Sequence, residues 1–496
     1  MRRSGILMPI SAFPSKYGIG TFSKEAYKFV DFLADAEQSL WQILPLGPTG
    51  YGDSPYQSFS TFAGNPYFID PDDLVKRGWL TRKECEATYS GADDDDIDYE
   101  HIYNTRFKLL KKAYHKSGIA SDKAYTAFCK KNSFWLDDYA LYMAVKNSFD
   151  GKSWIEWDED IRLRKKSAIK AYSEKFADEI GFYKFQQYMF ASQWEALKAY
   201  ANEKGVSIVG DIPIYVAFDS ADTWSNPELF QLDKENFPIG VAGCPPDAFS
   251  ATGQLWGNPL YKWDYHKKTG YKWWIQRIEY CYRLYDVLRI DHFRGFDEYY
   301  AIPYGDETAK FGKWETGPGI DIFKAIKDAL GEKSVIAEDL GFLTDSVIKL
   351  VKKTGYPGMK VLLFAFDHRE PSDYLPHVYT SNCVVYTGTH DNDTVEGWIK
   401  SAAARDVRFA MKYLGVKRRS QIRPALIRAA HMCVADTCII PMQDYLGLDN
   451  SARINMPSTV GGNWVWRMSE DALTDELCDE IRTLTVLYGR SEKTAR

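Results

Sequence analysis

The sequence predicts an α/β protein built as a (β/α)8 TIM barrel with large helical and loop insertions. Three observations lead there. Eight short, near-continuous apolar runs recur along the chain, the mark of parallel strands buried on both faces. Helical patterns separate several of them. Carboxylates stand at the C-terminal ends of four runs, where the loops of such a barrel build an active site.

The runs, in order, are Gly5–Ile10, Leu40–Leu46, Val206–Ile214, Asp286–Phe293, Val335–Leu340, Met359–Phe366, Val384–Asp391 and Cys438–Tyr445. Helical patterns at Glu25–Ala36, Phe185–Lys204 and Trp273–Tyr285 precede the second, third and fourth. A barrel alone takes about 250 residues, so about half of the 496 residues are insertion. The chain therefore reads as a single elaborated catalytic barrel over 1–496. A mainly helical insertion is expected at 71–181, and an active-site loop insertion, rich in Gly, Pro and aromatics, at 217–263.

Composition narrows the function. With 62 basic and 68 acidic residues, a net charge of −6 argues against nucleic acid, which binds clustered cations. No run reaches the ~18 apolar residues of a membrane span, and Pro9 interrupts the N-terminal apolar run, which argues against a signal peptide. The eight cysteines form no C-x-x-C pair, so scattered reduced thiols and a cytoplasmic location are expected. Phosphate-loop, zinc-protease and serine-hydrolase signatures are missing. The Asp93–Asp96 run and the cluster Lys417, Arg418, Arg419 and Arg423 read as solvated faces. Aromatics make up 15% of the chain. Trp194, Trp273 and Trp274 lie in helical patterns and are expected to pack. Tyr51, Tyr56, Trp224, Trp256 and Trp464 are expected in rim loops, where rings can stack on flat ligand faces.

Four strand-end acids stand out: Asp211, Asp291, Glu338 and Asp391. A single strand-end Asp can cap the following helix, but four on four strands point to chemistry. In Leu288-Arg289-Ile290-Asp291, alternation puts Arg289 and Asp291 on one face. The guanidinium beneath favours an ionised carboxylate, as a nucleophile requires. Parity leaves open Glu338 or Asp339, and Asp391 or Asp393. A nucleophilic carboxylate paired with a carboxylic acid is the equipment of a retaining glycosidase, and a third carboxylate can stabilise an oxocarbenium-like transition state.

These residues lie in recognisable blocks. RIDHFRGF (Arg289–Phe296), AEDLG (Ala337–Gly341) and GTHDNDT (Gly388–Thr394) closely resemble the 4-α-glucanotransferases called amylomaltases or disproportionating enzymes. So do LPLGPTGYGDSPYQSFSTFAGNPY (Leu44–Tyr67), GDIPIYVAFDSADTW (Gly210–Trp224), PPDAFSATGQLWGNPLY (Pro245–Tyr261) and NMPSTVGGNW (Asn455–Trp464). The resemblance implies a barrel of the wider α-amylase clan that transfers α-1,4-glucan segments. Asp291 would be the nucleophile, Glu338 the general acid/base and Asp391 the transition-state-stabilising acid. Arg289 and His390 would flank the sugar, Tyr56 would stack under it, and Asp211 matches the family's third-strand acid. Asp247, Gln254 and Trp256 would contact the acceptor, with loops bearing Trp256 and Tyr51 excluding water. Ala248 departs from the family's usual Tyr and Cys244 from its usual Val, which bears on acceptor contacts and product size. The implied partners are an α-1,4-glucan donor and a malto-oligosaccharide or glucose acceptor. The implied chemistry calls for no metal or other cofactor.

Overall fold

The computed structural model describes residues 2–50, 52–89, 96–246, 250–341 and 343–491. Twelve strands are present among them. They are β1 (Arg3–Leu7), β2 (Leu40–Gln42), β3 (Ser207–Ile212), β4 (Gly240–Cys244), β5 (Gln254–Pro259) and β6 (Val287–Ile290). They continue with β7 (Glu298–Pro303), β8 (Lys313–Thr316), β9 (Val335–Ala337), β10 (Gly358–Val361), β11 (Cys383–Tyr386) and β12 (Thr437–Pro441).

Eight of them form one parallel sheet in the order β10-β11-β12-β1-β2-β3-β6-β9. Each coincides with one of the eight apolar runs. The two edges are drawn together as well: the Ala337 N–H donates to the Pro357 carbonyl at 3.0 Å, and the Met359 N–H to Asp339 Oδ1 at 2.7 Å. The sheet is thus a nearly closed (β/α)8 barrel. Its strands are buried almost throughout because helices cover the outside. Gly210 on β3 is required by close packing, since a Cβ there would stand 2.1 Å from the Tyr285 ring.

Helices Lys24–Asp35, Ala177–Glu203 and Lys272–Leu284 precede β2, β3 and β6, within a residue or two of the expected patterns except at the start of the second. Between β10 and β11 only 3-10 turns occur. Between β2 and β3 lie three long helices, Tyr99–Ser117, Lys123–Ser148 and Ala177–Glu203. The first packs on the main core, while Lys123–Ser148 leads a second core around Trp135, Tyr142, Trp154 and Trp157. Trp224, expected in a rim loop, belongs to that core instead. It is 1% exposed, its indole N–H donates to the Ile161 carbonyl, and Arg164 lies over its ring. Arg423 also departs from the solvated cluster: it is half-buried, pairs with Glu396 and donates to the Asp444 and Tyr445 carbonyls.

Four further strands make an antiparallel sheet, β5-β4-β7-β8, beside the barrel rim. Two of them fall in 217–263, read from sequence as loop; the other two lie in 298–316, where no element was expected. Strands of only four to six residues carry little periodic signal. All eight cysteines are unpaired thiols. No helix among the described residues is long and apolar enough to cross a membrane.

Candidate active site

Three neighbouring barrel strands, β3, β6 and β9, form one wall. Register sets Asp211 directly beside Arg289. Arg289, 3% exposed, donates through Nη1 to Asp211 Oδ2 and through Nη2 to Asp291 Oδ1 at 2.9 Å. Alternation along β6 thus places the cation beneath Asp291. Burial alone would lower the Arg289 pKa, but Asp211 and Asp291 reverse that and hold it well above its ordinary value. Tyr56 completes the layer, its hydroxyl donating to Asp211 Oδ2 at 2.8 Å.

Glu338 follows β9 directly. Its Oε2 accepts the His292 N–H at 2.7 Å and its Oε1 the Leu340 N–H at 2.8 Å. Burial, joined by the Asp291 charge, pushes its pKa up to about 7 against the pull of Arg289 and the two amides. Asp339 is turned to the β10 backbone, so of the two acids left open by parity it is Glu338 that shares this site with Asp291.

The loop after β11 supplies the opposite side. Asp391 Oδ1 accepts from Asn455 Nδ2 at 2.6 Å, and its Oδ2 lies 3.3 Å from His390 Nε2. Burial favours the neutral acid, but the His390 charge and hydrogen bond, Asn455 and Arg289 outweigh it and bring the pKa down to about 2. Burial acts on His390 the other way, yet Asp391 raises its pKa overall. Each thus favours the charged form of the other. Asp393 instead pairs with Arg453 and accepts from Ser401. The Arg453 guanidinium also donates to the Asp391 carbonyl at 2.7 Å, bracing the loop.

Rings frame these acids. Tyr56 stacks on His390 at 5.1 Å and 19°, and Trp464 leans on both. Across the site, Trp256 on β5 meets His292 edge-on at 4.8 Å and 87°, and donates to Gln254 Oε1 at 3.0 Å. Asp247, Ala248 and Tyr51 lie outside the described residues. A cleft lined by Tyr56, Ser58, Thr61, Asp211 and Tyr215 adjoins the wall.

Sequence reasoning missed two contributors. His292 holds Glu338 through its backbone N–H, from a left-handed conformation at φ 50°. Burial drops its imidazole pKa to about 4, so the ring is neutral. Asn455 fixes Asp391 from a distant block; only its place in NMPSTVGGNW could have flagged it. Among the described residues, Asp367, His368 and Asp406 form one cluster with metal-ligand spacing. These groups are engaged otherwise, Asp367 by Arg369 and Asp406 by His368.

Residues 8–474 match the family model described as 4-alpha-glucanotransferase. The chain belongs to the 4-alpha-glucanotransferase family. It is 50% identical over 487 residues to the 4-alpha-glucanotransferase of Clostridium butyricum, covering 98% of this chain and all of the relative. The enzyme of Thermus thermophilus is 42% identical, with 97% and 98% covered. Among solved structures, the amylomaltase from Streptococcus agalactiae in complex with acarbose superposes with a TM-score of 0.96 at 42% identity. That match covers 99% of this chain and 100% of the other. The amylomaltase from Corynebacterium glutamicum, 18% identical, shares the fold with a TM-score of 0.80, over 98% and 75% of the two chains. As a 4-alpha-glucanotransferase, this enzyme is a transglycosylase of starch and carbohydrate metabolism, and the carboxylates of its barrel rim sit where such barrels carry their chemistry.

Proposed function

We propose that the enzyme transfers α-1,4-glucan segments between malto-oligosaccharides by a retaining double displacement. The observation that carries this reading is the Asp291–Glu338 pair: one acid is bonded to a buried arginine, and the other is raised to about 7 partly by the first one's charge. Environments that push two carboxylates apart assign nucleophile and acid.

In the first step Glu338 protonates the glycosidic oxygen, the C–O bond breaks, and the leaving chain departs with a free 4-hydroxyl. An Asp291 oxygen forms an ester to the anomeric carbon. That ester removes the negative charge that raised Glu338, so the Glu338 pKa falls and the group stays a carboxylate. It then takes the proton from an acceptor's 4-hydroxyl, which attacks the anomeric carbon and releases Asp291. Asp391, held ionised, lies ready to offset positive charge in the oxocarbenium-like transition state. Arg289 and Asp211 orient the nucleophile. His390 and Tyr56 bound the donor sugar. Asp211 Oδ1 and His390 Nδ1 are buried without a partner among the described residues, as suits groups that meet sugar hydroxyls. Gln254 and Trp256 face the acceptor, a malto-oligosaccharide or glucose. No step calls for a metal.

A hydrolase can use the same three acids. What favours transfer is the Trp256 indole packed on the residue that holds Glu338, which aligns an acceptor and displaces water. Incubation with maltotriose tests the reading. A ladder of longer oligosaccharides with released glucose and constant total reducing ends is expected, and Asp291→Ala abolishes it. A steady rise in reducing ends without the ladder would establish hydrolysis instead.

A further inference from the structure

The small sheet leaves aromatic rings uncovered beside the groove. Trp314, on the edge strand β8, is 39% exposed, and Phe311, in the turn before it, 74%. Trp314 is nevertheless held firmly. The Arg294 guanidinium lies 3.9 Å from its ring centroid, and Tyr300 meets it edge-on at 5.1 Å and 62°. Arg294 belongs to the turn Phe293–Phe296 directly after Asp291 and His292. An exposed indole fixed in one orientation loses little freedom when a ligand stacks on it.

The patch is also joined through the sheet to β5, the strand that carries Gln254 and Trp256. Register pairs Trp314 with Tyr300, Tyr300 with Gly243, and Gly243 with Leu255. Residues directly opposite share a face, so Trp314 and the exposed Leu255 stand in one row, on the face of β5 opposite to Trp256. Three strand spacings separate them, about 14 Å, a span of a few sugar rings. The turn carrying Phe311 is tied to the same loop, the Ala309 N–H donating to the Thr252 carbonyl at 3.0 Å.

We propose that Trp314, with Phe311 beside it, is a stacking platform for long α-1,4-glucans, outside the groove where bonds are exchanged. Glucose units present apolar ring faces that an indole matches. The exposed parts of the two rings supply about a third of the ~800 Å² per partner that a stable protein interface buries, so a sugar chain fits the patch better than a second protein. The inference rests on the glucan reading of the groove, and the experiment separates the two.

Wild type, Trp314→Ala and Trp314→Phe are assayed for maltotriose disproportionation and for transfer from amylose to glucose. Migration of each through native gels containing amylose is measured alongside. The Ala variant is expected to keep maltotriose kinetics within twofold, raise KM for amylose about three- to tenfold and lose much of its retardation, with Phe restoring most of both. An equal change on both substrates, or none on either, overturns the platform. A mass that falls with dilution in wild type and not in Trp314→Ala overturns it too, in favour of self-association. If wild type fails to disproportionate maltotriose, the groove reading falls, while retardation by amylose that depends on Trp314 would still stand.

Discussion

Arg289 and Glu338 show how few residues set this site's electrostatics. One guanidinium serves two carboxylates, and burial, joined by the charge of one of those, Asp291, raises Glu338 to about 7. The folded-state pKa of Glu338 thus exceeds its ordinary 4.5. A raised carboxyl contributes stability that is present below the unfolded value and lost as pH rises through the folded one. Activity should follow the same proton, with glycosylation falling above about pH 7 because the acid form disappears. Glu338→Gln is therefore expected to lose about 10²- to 10⁴-fold in turnover. Its stability should nonetheless fall less than wild type's between pH 5 and pH 8, since each tenfold weakening of a buried acid costs its ionised form about 1.4 kcal/mol, a cost that Gln does not carry. A pH–rate profile together with inactivation half-lives at pH 5 and pH 8 checks both halves. A variant whose stability falls between pH 5 and pH 8 as much as wild type's would contradict the assignment. The sequence carried Asp291 over Arg289 in its alternation, a local relation. It left Glu338 against Asp339 open because the choice depends on a neighbouring strand, where the Met359 amide of β10 draws Asp339 away. His292 was illegible for a related reason: its contribution is a backbone N–H aimed by a left-handed φ, which no side-chain pattern encodes.

At the scale of elements, barrel strands were legible and the small sheet was not. A strand buried on both faces writes an apolar run into the sequence. The runs overshoot the strands, as where Leu40–Leu46 yields only Leu40–Gln42, because the loops leaving this rim are buried too. The helical insertion was visible as a region, but its docking is non-local. Arg106 on Tyr99–Ser117 is buried and donates to three carbonyls, Tyr67 and Ile69 at 3.0 Å and Tyr17 at 3.1 Å. Burial brings its pKa down to about 10, still charged at neutral pH. Tyr67 closes the block that begins at Leu44 and contains Tyr56, so this arginine anchors the segment that carries a candidate sugar-stacking ring. Arg106→Met keeps the stem and strands three buried carbonyls. A loss of about 3–5 kcal/mol is expected, with a raised KM for maltotriose and new proteolytic cuts between residues 44 and 67. Unchanged proteolysis would mean that the helices hold the segment without it.

For the whole molecule, the site at one end of the barrel depends on the other end staying shut. The first and last barrel strands pair in register from Arg3 and Thr437, and one side chain seals the N-terminal mouth of that seam. Arg490 is fully buried. Its Nε donates to the His431 carbonyl at 2.8 Å, Nη1 to those of Arg3 and Asp436, and Nη2 to those of Ala430, Cys433 and Ala435. Nothing in the apolar runs announced this, since a lone Arg after an amphipathic helix reads as surface. Six carbonyls converge only because a planar guanidinium presents five N–H donors in a fixed fork. Replacing it by Met leaves the Arg3, Cys433 and Ala435 carbonyls without this donor and the other three with only the Arg3 N–H, Arg2 and Cys433 Sγ–H, and by Lys leaves one compact ammonium that cannot span the ring. Both variants should open the seam more readily, shortening the half-life of activity at a fixed elevated temperature by at least about tenfold, the factor that 1.4 kcal/mol of barrier represents. Arg490 touches no residue of the groove, so KM for maltotriose and the pH–rate profile of the surviving enzyme should match wild type. A shift in either would mean that the N-terminal mouth and the catalytic rim are coupled through the strands, and that the barrel does not act as a rigid scaffold.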